Sequence, residues 1–175
     1  MKHRLFFALE PPPPVREILS QIKSASARGN QGRTVDCANL HLTLQFLGGV
    51  VDEQIERLEE VATQLQTEPF LLTLDQFGHW DHPRILWLGP LITPVPLLAL
   101  QAGLETALIQ QCGFVPEARR YRPHVTLMRK VDKVETLPQI EPLTWPVDQF
   151  SLMESLSSPA GVVYKTLNQW PLSTK

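Results

Sequence analysis

Two short runs of this chain carry groups that can move protons. One is Asn39-Leu40-His41-Leu42-Thr43-Leu44-Gln45-Phe46-Leu47-Gly48; the other, far downstream, is Arg122-Pro123-His124-Val125-Thr126-Leu127-Met128. Each is an apolar stretch interrupted by His-x-Thr. In a β-strand residues i and i+2 share a face, so His41 and Thr43 point one way while Leu42, Leu44 and Phe46 point into a core. The second run repeats this, with His124 and Thr126 outward and Val125 and Leu127 inward. One polar pair of this kind is the ordinary wet face of a half-buried strand. Two copies can bring two imidazoles and two hydroxyls to one place. Phosphodiester cleavage by in-line displacement needs that set: a base on one side of phosphorus to take a proton from water, and an acid on the other to protonate the departing alkoxide. Imidazole titrates at about pH 6.5, so one neutral and one protonated histidine serve near neutrality. The Thr43 and Thr126 hydroxyls can donate to the non-bridging oxygens, where charge accumulates in the transition state. No serine, cysteine or carboxylate nucleophile is required.

The elements that must position these residues follow from periodicity. Arg4 to Leu9 reads as a buried strand. Pro14 suits a first helical turn, and Val15, Ile18, Leu19 and Ile22 then form one apolar stripe. Ser24 to Asn39 has no period and many small polar residues, a loop leading into the first motif. Asp52 is placed to cap a helix with a core face of Ile55, Leu58, Val61 or Ala62, and Leu65. Phe70–Leu74 and Arg84–Leu88 read as strands joined in a hairpin through Gly78 to Pro83. Leu97, Leu100, Leu104 and Leu108 mark a third helix, closed by Gly113 as a left-handed cap. Phe150–Leu156 and Val162–Trp170 read as a final hairpin turning at residues 157–161. The order predicts an α+β fold of antiparallel sheets backed by helices, without connections suited to a parallel sheet. Each half offers helices followed by one His-x-Thr strand, a weak internal symmetry; if the halves of the chain 1–175 fold as two pseudo-symmetric lobes of a single domain, the motif strands face each other across a cleft.

Composition narrows the class. At 175 residues and 43% hydrophobic content the chain can bury one full core. A net charge of −2 excludes a protein that coats nucleic acid by bulk charge, while leaving room for a local basic site. The N-terminal apolar run is too short for a signal peptide or membrane span. With only Cys37 and Cys112, the expectation is a cytoplasmic protein with reduced thiols and no membrane association.

The two motifs, with Arg4-Leu5-Phe6-Phe7-Ala8-Leu9 near the start and Tyr164-Lys165-Thr166-Leu167 near the end, resemble the bacterial RNA 2′,3′-cyclic phosphodiesterases, also called 2′-5′ RNA ligases, of the two-histidine phosphoesterase superfamily. The resemblance spans almost the full chain. It implies a bilobal α+β fold with two antiparallel sheets facing across a central cleft and helices outside. It implies opening of an RNA terminal 2′,3′-cyclic phosphate to a 2′-phosphate, with no metal and no cofactor, and RNA ends or oligonucleotides as partners rather than another protein. It makes His41 the proton donor and His124 the proton acceptor, a choice that the near-identical motifs leave open. Arg129, five residues after His124, matches a basic residue that the family uses near the phosphate. Strict alternation puts Arg129 on the face opposite His124, so it reaches the site only if the strand ends or twists after Leu127.

Other signals are weaker. Arg119, Arg120 and Arg122 supply positive charge beside the second motif, although Arg119 and Arg120 also read as an exposed charged loop. Phe7 and Trp87 can stack a base, but aromatics on buried strands are usually core. His79-x-x-His82 has metal-site spacing, yet it falls in a turn with only Asp81 beside it, and no metal is expected there. No Walker loop for ATP is present, so any ligation draws on the strained cyclic phosphate, a 5′-hydroxyl replacing water. A module that binds RNA ends in the same cleft without turnover is the alternative; it has no need of two proton-transfer groups.

Overall fold

The structure is a computed structural model that describes residues 1–159 and 161–173. Ala160, in the expected last turn, and Thr174 and Lys175, at the end of the expected domain, lie outside the described residues. The element order is β1 (Lys2–Leu9), α1 (Pro13–Arg28), β2 (Arg33–Thr34), β3 (Leu42–Val51), α2 (Asp52–Gln64), β4 (Phe70–Leu74), β5 (Gln76–Trp80) and β6 (Ile85–Gly89). It continues through α3 (Val95–Cys112), β7 (Val125–Arg129), β8 (Leu143–Val147), β9 (Gln149–Ser158) and β10 (Gly161–Pro171). The class is α+β, as expected. Its strands pair antiparallel throughout, in an eight-stranded sheet ordered β10-β9-β1-β3-β7-β6-β5 with β2 also on β7, and in a two-stranded sheet of β4 and β8. The large sheet has two halves, each built around one motif strand. They join at a single residue pair, Leu42 with Val125.

The helices cover the apolar face. Pro13 and Pro14 occupy the first turn of α1, where their missing N–H groups cost nothing. The buried stripe of α1 is Val15, Leu19, Ile22 and Ser26, while Ile18, expected inside, is 42% exposed. On α3, Leu97, Leu100, Leu104 and Leu108 are fully buried, and Gly113 caps the helix at φ 64°.

Four local expectations are corrected. The segment from Ser24 is not a loop throughout: α1 runs on to Arg28, β2 adds a short strand, and residues 37–39 form a 3-10 turn. Asp52 is not a cap but the first residue inside α2, and its carboxylate instead receives the N-terminus at 2.7 Å and His3 Nε2 at 2.5 Å. Phe70–Leu74 does not pair with residues 84–88. Gln76–Trp80 takes that place as β5, and β4 pairs with β8, a strand whose Thr144 and Pro146 obscure its alternation. Phe46 is not core; it is 42% exposed.

Candidate active site

Both motif histidines are held in the same way. His41 Nδ1 donates to the carbonyl of Asn39, and His124 Nδ1 to the carbonyl of Arg122, each at 2.7 Å. A carbonyl oxygen only accepts, so each neutral ring carries its proton on Nδ1 and presents the lone pair of Nε2. His41 Nε2 accepts the hydroxyl of Thr43 at 3.0 Å. The carbonyl that orients His41 is itself anchored: the Asn39 side chain donates to Val162 O at 2.7 Å and accepts from Tyr164 N at 3.1 Å. Arg16 holds the same turn, reaching the carbonyls of Cys37, Ala38 and Leu40. Neither Asn39 nor Arg16 was singled out from sequence, because both act through backbone groups that have no sequence signature.

The residues beyond the motifs are placed by β-bulges. On β3 the register with β1 shifts between Phe7–Gln45 and Ala8–Thr43, which leaves Leu44 as an extra residue. The extra residue reverses the alternation and brings Phe46 to the face that carries Thr43. On β7 the register with β6 shifts between Leu86–Met128 and Trp87–Thr126, so Leu127 is the extra residue and Arg129 comes to the face of Thr126. The bulge, rather than an end or twist of the strand, resolves the conflict over Arg129. The bulge falls three residues after the histidine in both motifs.

These side chains converge. His41, Thr43, His124, Thr126 and Arg129 all line one cleft of about 850 Å³. Phe46 and Arg4 line it as well, with the guanidinium 5.2 Å from the centre of the Phe46 ring. Lys23, Arg33 and Lys130 add positive charge to the lining, against Asp36 as its one carboxylate among the described residues. The cleft is therefore a local basic site on a chain of net charge −2. Tyr121, half-buried, crosses from the second half to donate to the Thr43 carbonyl at 3.0 Å.

Sequence candidates outside this set sort clearly. Arg119, Arg120 and Arg122 are not among the cleft-lining residues, although the carbonyl of Arg122 orients His124. Phe7 is fully buried core. Trp87 stands beside His124, 6.1 Å between ring centres, and does not line the cleft. His79 gives its Nε2 to the Val131 carbonyl at 2.7 Å, and no cluster of three or more metal-ligating side chains occurs among the described residues.

Burial disfavours a charged imidazole at both positions. It pushes His41 down to about 4, with His124 and Arg129 adding to the effect and the bond to Asn39 opposing it. His124 is lowered by burial and then by Arg129, against its bond to Arg122. The unliganded cleft therefore holds two neutral rings near pH 7. With Arg129 and the threonine hydroxyls around them, they form a seat for an anion that both can reach.

The sequence matches the 2′-5′ RNA ligase superfamily over residues 11–159. It is 33% identical to an RNA 2′,3′-cyclic phosphodiesterase of Escherichia coli over 172 residues, 97% of each chain. A protein of the same name from Thermotoga maritima is 33% identical over 94% of this chain and 92% of its own. The fold superposes on the crystal structure of E. coli LigT complexed with 3′-AMP with a TM-score of 0.92, at 32% identity and covering 99% and 100% of the two chains. The Thermus thermophilus protein TT0787 superposes with a TM-score of 0.80 at 26% identity, covering 97% of both. By sequence over most of its length and by fold over nearly all of it, this chain belongs to the 2′-5′ RNA ligase superfamily, where it stands with the RNA 2′,3′-cyclic phosphodiesterases.

Proposed function

We propose that this chain hydrolyses the terminal 2′,3′-cyclic phosphate of RNA to a 2′-phosphate by metal-independent acid–base catalysis between two histidines. The observation that carries this reading is the matched pair of imidazoles, each fixed through Nδ1 and presenting Nε2 to one cleft that also holds Thr43, Thr126 and Arg129. His124 takes a proton from water as the water oxygen bonds to phosphorus; the bond to O3′ breaks, and His41 gives that oxygen a proton. Thr43, Thr126 and Arg129 hold the non-bridging oxygens, Arg129 by its two-pronged guanidinium. A phosphodiester anion seated between the rings favours the imidazolium, so the proton that His41 donates is taken up from solvent with the substrate. Phe46, exposed in the cleft beside Arg4, offers a face for a nucleobase.

In this reading the chain is one domain of two pseudo-symmetric lobes acting in the cytoplasm on RNA ends. The matching bulges of the two motif strands support the symmetry. Among the described residues no helix is long and apolar enough to cross a membrane. Ligation to a 2′-5′ bond is the same displacement run with a 5′-hydroxyl in the place of water. The nucleotide in the E. coli LigT complex supports a ligand of this class. The deciding experiment is incubation of an oligoribonucleotide ending in a 2′,3′-cyclic phosphate, with the product identified by phosphorus NMR. A 2′-phosphate is expected. Saturable binding without turnover would favour a binding module, and a product that is entirely 3′-phosphate would overturn the assignment.

A further inference from the structure

We propose that Trp87, laid against Gly78 and Gly89 and braced by Trp80, is the positioning residue of His124, a role that rests on His124 being the base. Among the described residues His124 is tied at one ring atom only, through Nδ1 to the Arg122 carbonyl. One hydrogen bond leaves the ring free to tilt about that contact, so something else must fix its plane. The Trp80 ring stands 4.7 Å from that of His124 at 78°, and the Trp87 ring 6.1 Å away at 60°. The two indoles touch each other at 5.1 Å. They form a two-ring plate behind the imidazole, off the cleft wall.

The backbone is cut to fit that plate. Gly78 and Trp87 are cross-strand partners on β5 and β6, and a Cβ at Gly78 would fall 1.9 Å from Cζ2 of Trp87 and 2.2 Å from its Cε2. A Cβ at Gly89 would fall 3.0 Å from Cζ3 of the same ring and 2.8 Å from the Pro123 carbonyl, one residue before His124. Any side chain at Gly78 would thus evict the indole, and one at Gly89 would crowd both the indole and the segment that carries the base. Both glycines have ordinary negative-side or extended backbone, so the constraint is space and not conformation.

Stability alone does not account for this choice of residue. Nε1 of Trp87 is buried without a hydrogen-bond partner among the described residues. A buried N–H with no acceptor is unfavourable, and a phenylalanine would leave no such group. The indole's extra breadth reaches His124. His41 has its own aromatic seat, with the Phe6 and Tyr164 rings each 5.0 Å away. Both proton-transfer groups are thus clamped by a carbonyl at Nδ1 and by two aromatic rings. The charged and titratable groups facing His124 are Arg129, at the end of β7, and His41, just before β3. On the face shared with Trp87, β5 and β6 present only Gln76, Gly78, Trp80, Ile85 and Gly89. The plate therefore acts on His124 by shape and by excluding water, with no charge of its own.

The test compares Trp87→Leu, Trp80→Leu and Gly78→Ala with the parent chain, after circular dichroism has shown each to be folded. Two readouts are used: kinetics on the cyclic phosphate and nitrogen-15 NMR titration of the two histidines. Trp87→Leu should lower kcat by roughly 10- to 100-fold with KM within about threefold, because a base misplaced by about an ångström loses rate rather than binding. The His124 midpoint should rise toward its ordinary value as water reaches the ring, while the His41 midpoint stays. Gly78→Ala should reproduce both effects with every aromatic intact. Adding it to Trp87→Leu should cost nothing more, since the atom that it clashes with is gone. Trp87→Phe, which keeps a ring but loses the indole's extra breadth, should recover only part of the rate. A folded Trp87→Leu with kcat within about threefold of the parent and an unmoved His124 midpoint would overturn the proposal. A parent chain that does not turn over the cyclic phosphate would sink the proposed function instead, and the NMR titration would still decide the seat.

Discussion

At the scale of single residues, the two imidazoles sit in near-identical cradles and must still do opposite jobs. Removing either should cost roughly 10²- to 10⁴-fold on the cyclic phosphate. The jobs separate on a nitrophenyl phosphodiester, whose leaving group needs no proton: His41→Ala should regain much of its rate there and His124→Ala should not. The reverse pattern would exchange the roles. Their protonation gives a second check. Burial lowers both rings, so the singly protonated, competent form is a minority of the free protein at pH 7. kcat/KM, which reports the free site, should be bell-shaped with its maximum below about pH 6.5 and should fall through neutrality, while kcat, measured with the anion bound, should peak at higher pH. Initial rates at low and saturating substrate from pH 4 to 9 measure both; a kcat/KM still rising at alkaline pH would point to hydroxide attack without a histidine acid.

At the scale of elements, the motif strands were legible and their bulges were not. His41, Thr43, His124 and Thr126 follow from a period of two, which reads correctly up to the first irregularity. Leu44 and Leu127 look like any other core leucine, and both are buried; nothing in their identity says that the strand gains a residue there. Strict alternation therefore sends Phe46 to the core and Arg129 away from the site, because the period of two does not hold past the bulge. Strand β5 was missed for a related reason: Gly78, His79 and the run to Pro83 carry turn chemistry, and only the Trp87 ring explains a glycine in mid-strand. A different junction can be tested by pH. His3 on β1 lies between Asp52 of α2 and Glu154 of β9, both at 2.5 Å, so both ring nitrogens donate and the imidazolium is favoured. Bonds to Glu154 and then Asp52 raise its pKa, while Asp52 is lowered by the N-terminus and by His3. A raised histidine stabilises fully below its ordinary value of about 6.5 and ceases to as pH rises through its raised value; a lowered aspartate stabilises above about 3.9 and ceases to as pH falls. The melting temperature of His3→Gln should thus fall short of the parent most between about pH 4 and 6.5, and the gap should close at higher pH. A gap independent of pH would mean that His3 acts by packing alone.

At the scale of the whole molecule, the sign of the cleft opposes the sign of the chain. A net charge of −2 with Arg4, Lys23, Arg33, Arg129 and Lys130 around one cavity confines phosphate attraction to the reaction site. kcat/KM for an oligoribonucleotide should fall as salt rises, and more steeply than for a cyclic mononucleotide, because more phosphates displace counterions. Equal slopes would confine recognition to the terminal phosphate. Turnover should also survive exhaustive chelation, since side chains handle every charge in the proposed mechanism; activity lost in EDTA and restored by one metal would refute that. Among the described residues the two halves of the large sheet pair only at Leu42 and Val125, both fully buried, and each is the residue directly after a histidine. That pair is the spine of an open book, and the imidazoles are printed next to the binding. At ordinary strand spacing β10 lies three strands out, about 14 Å from the spine. A given tilt of one page against the other would therefore displace the mouth of the cleft far more than the gap between donor and acceptor, so the catalytic spacing is the dimension of the site least sensitive to how the outer strands are set.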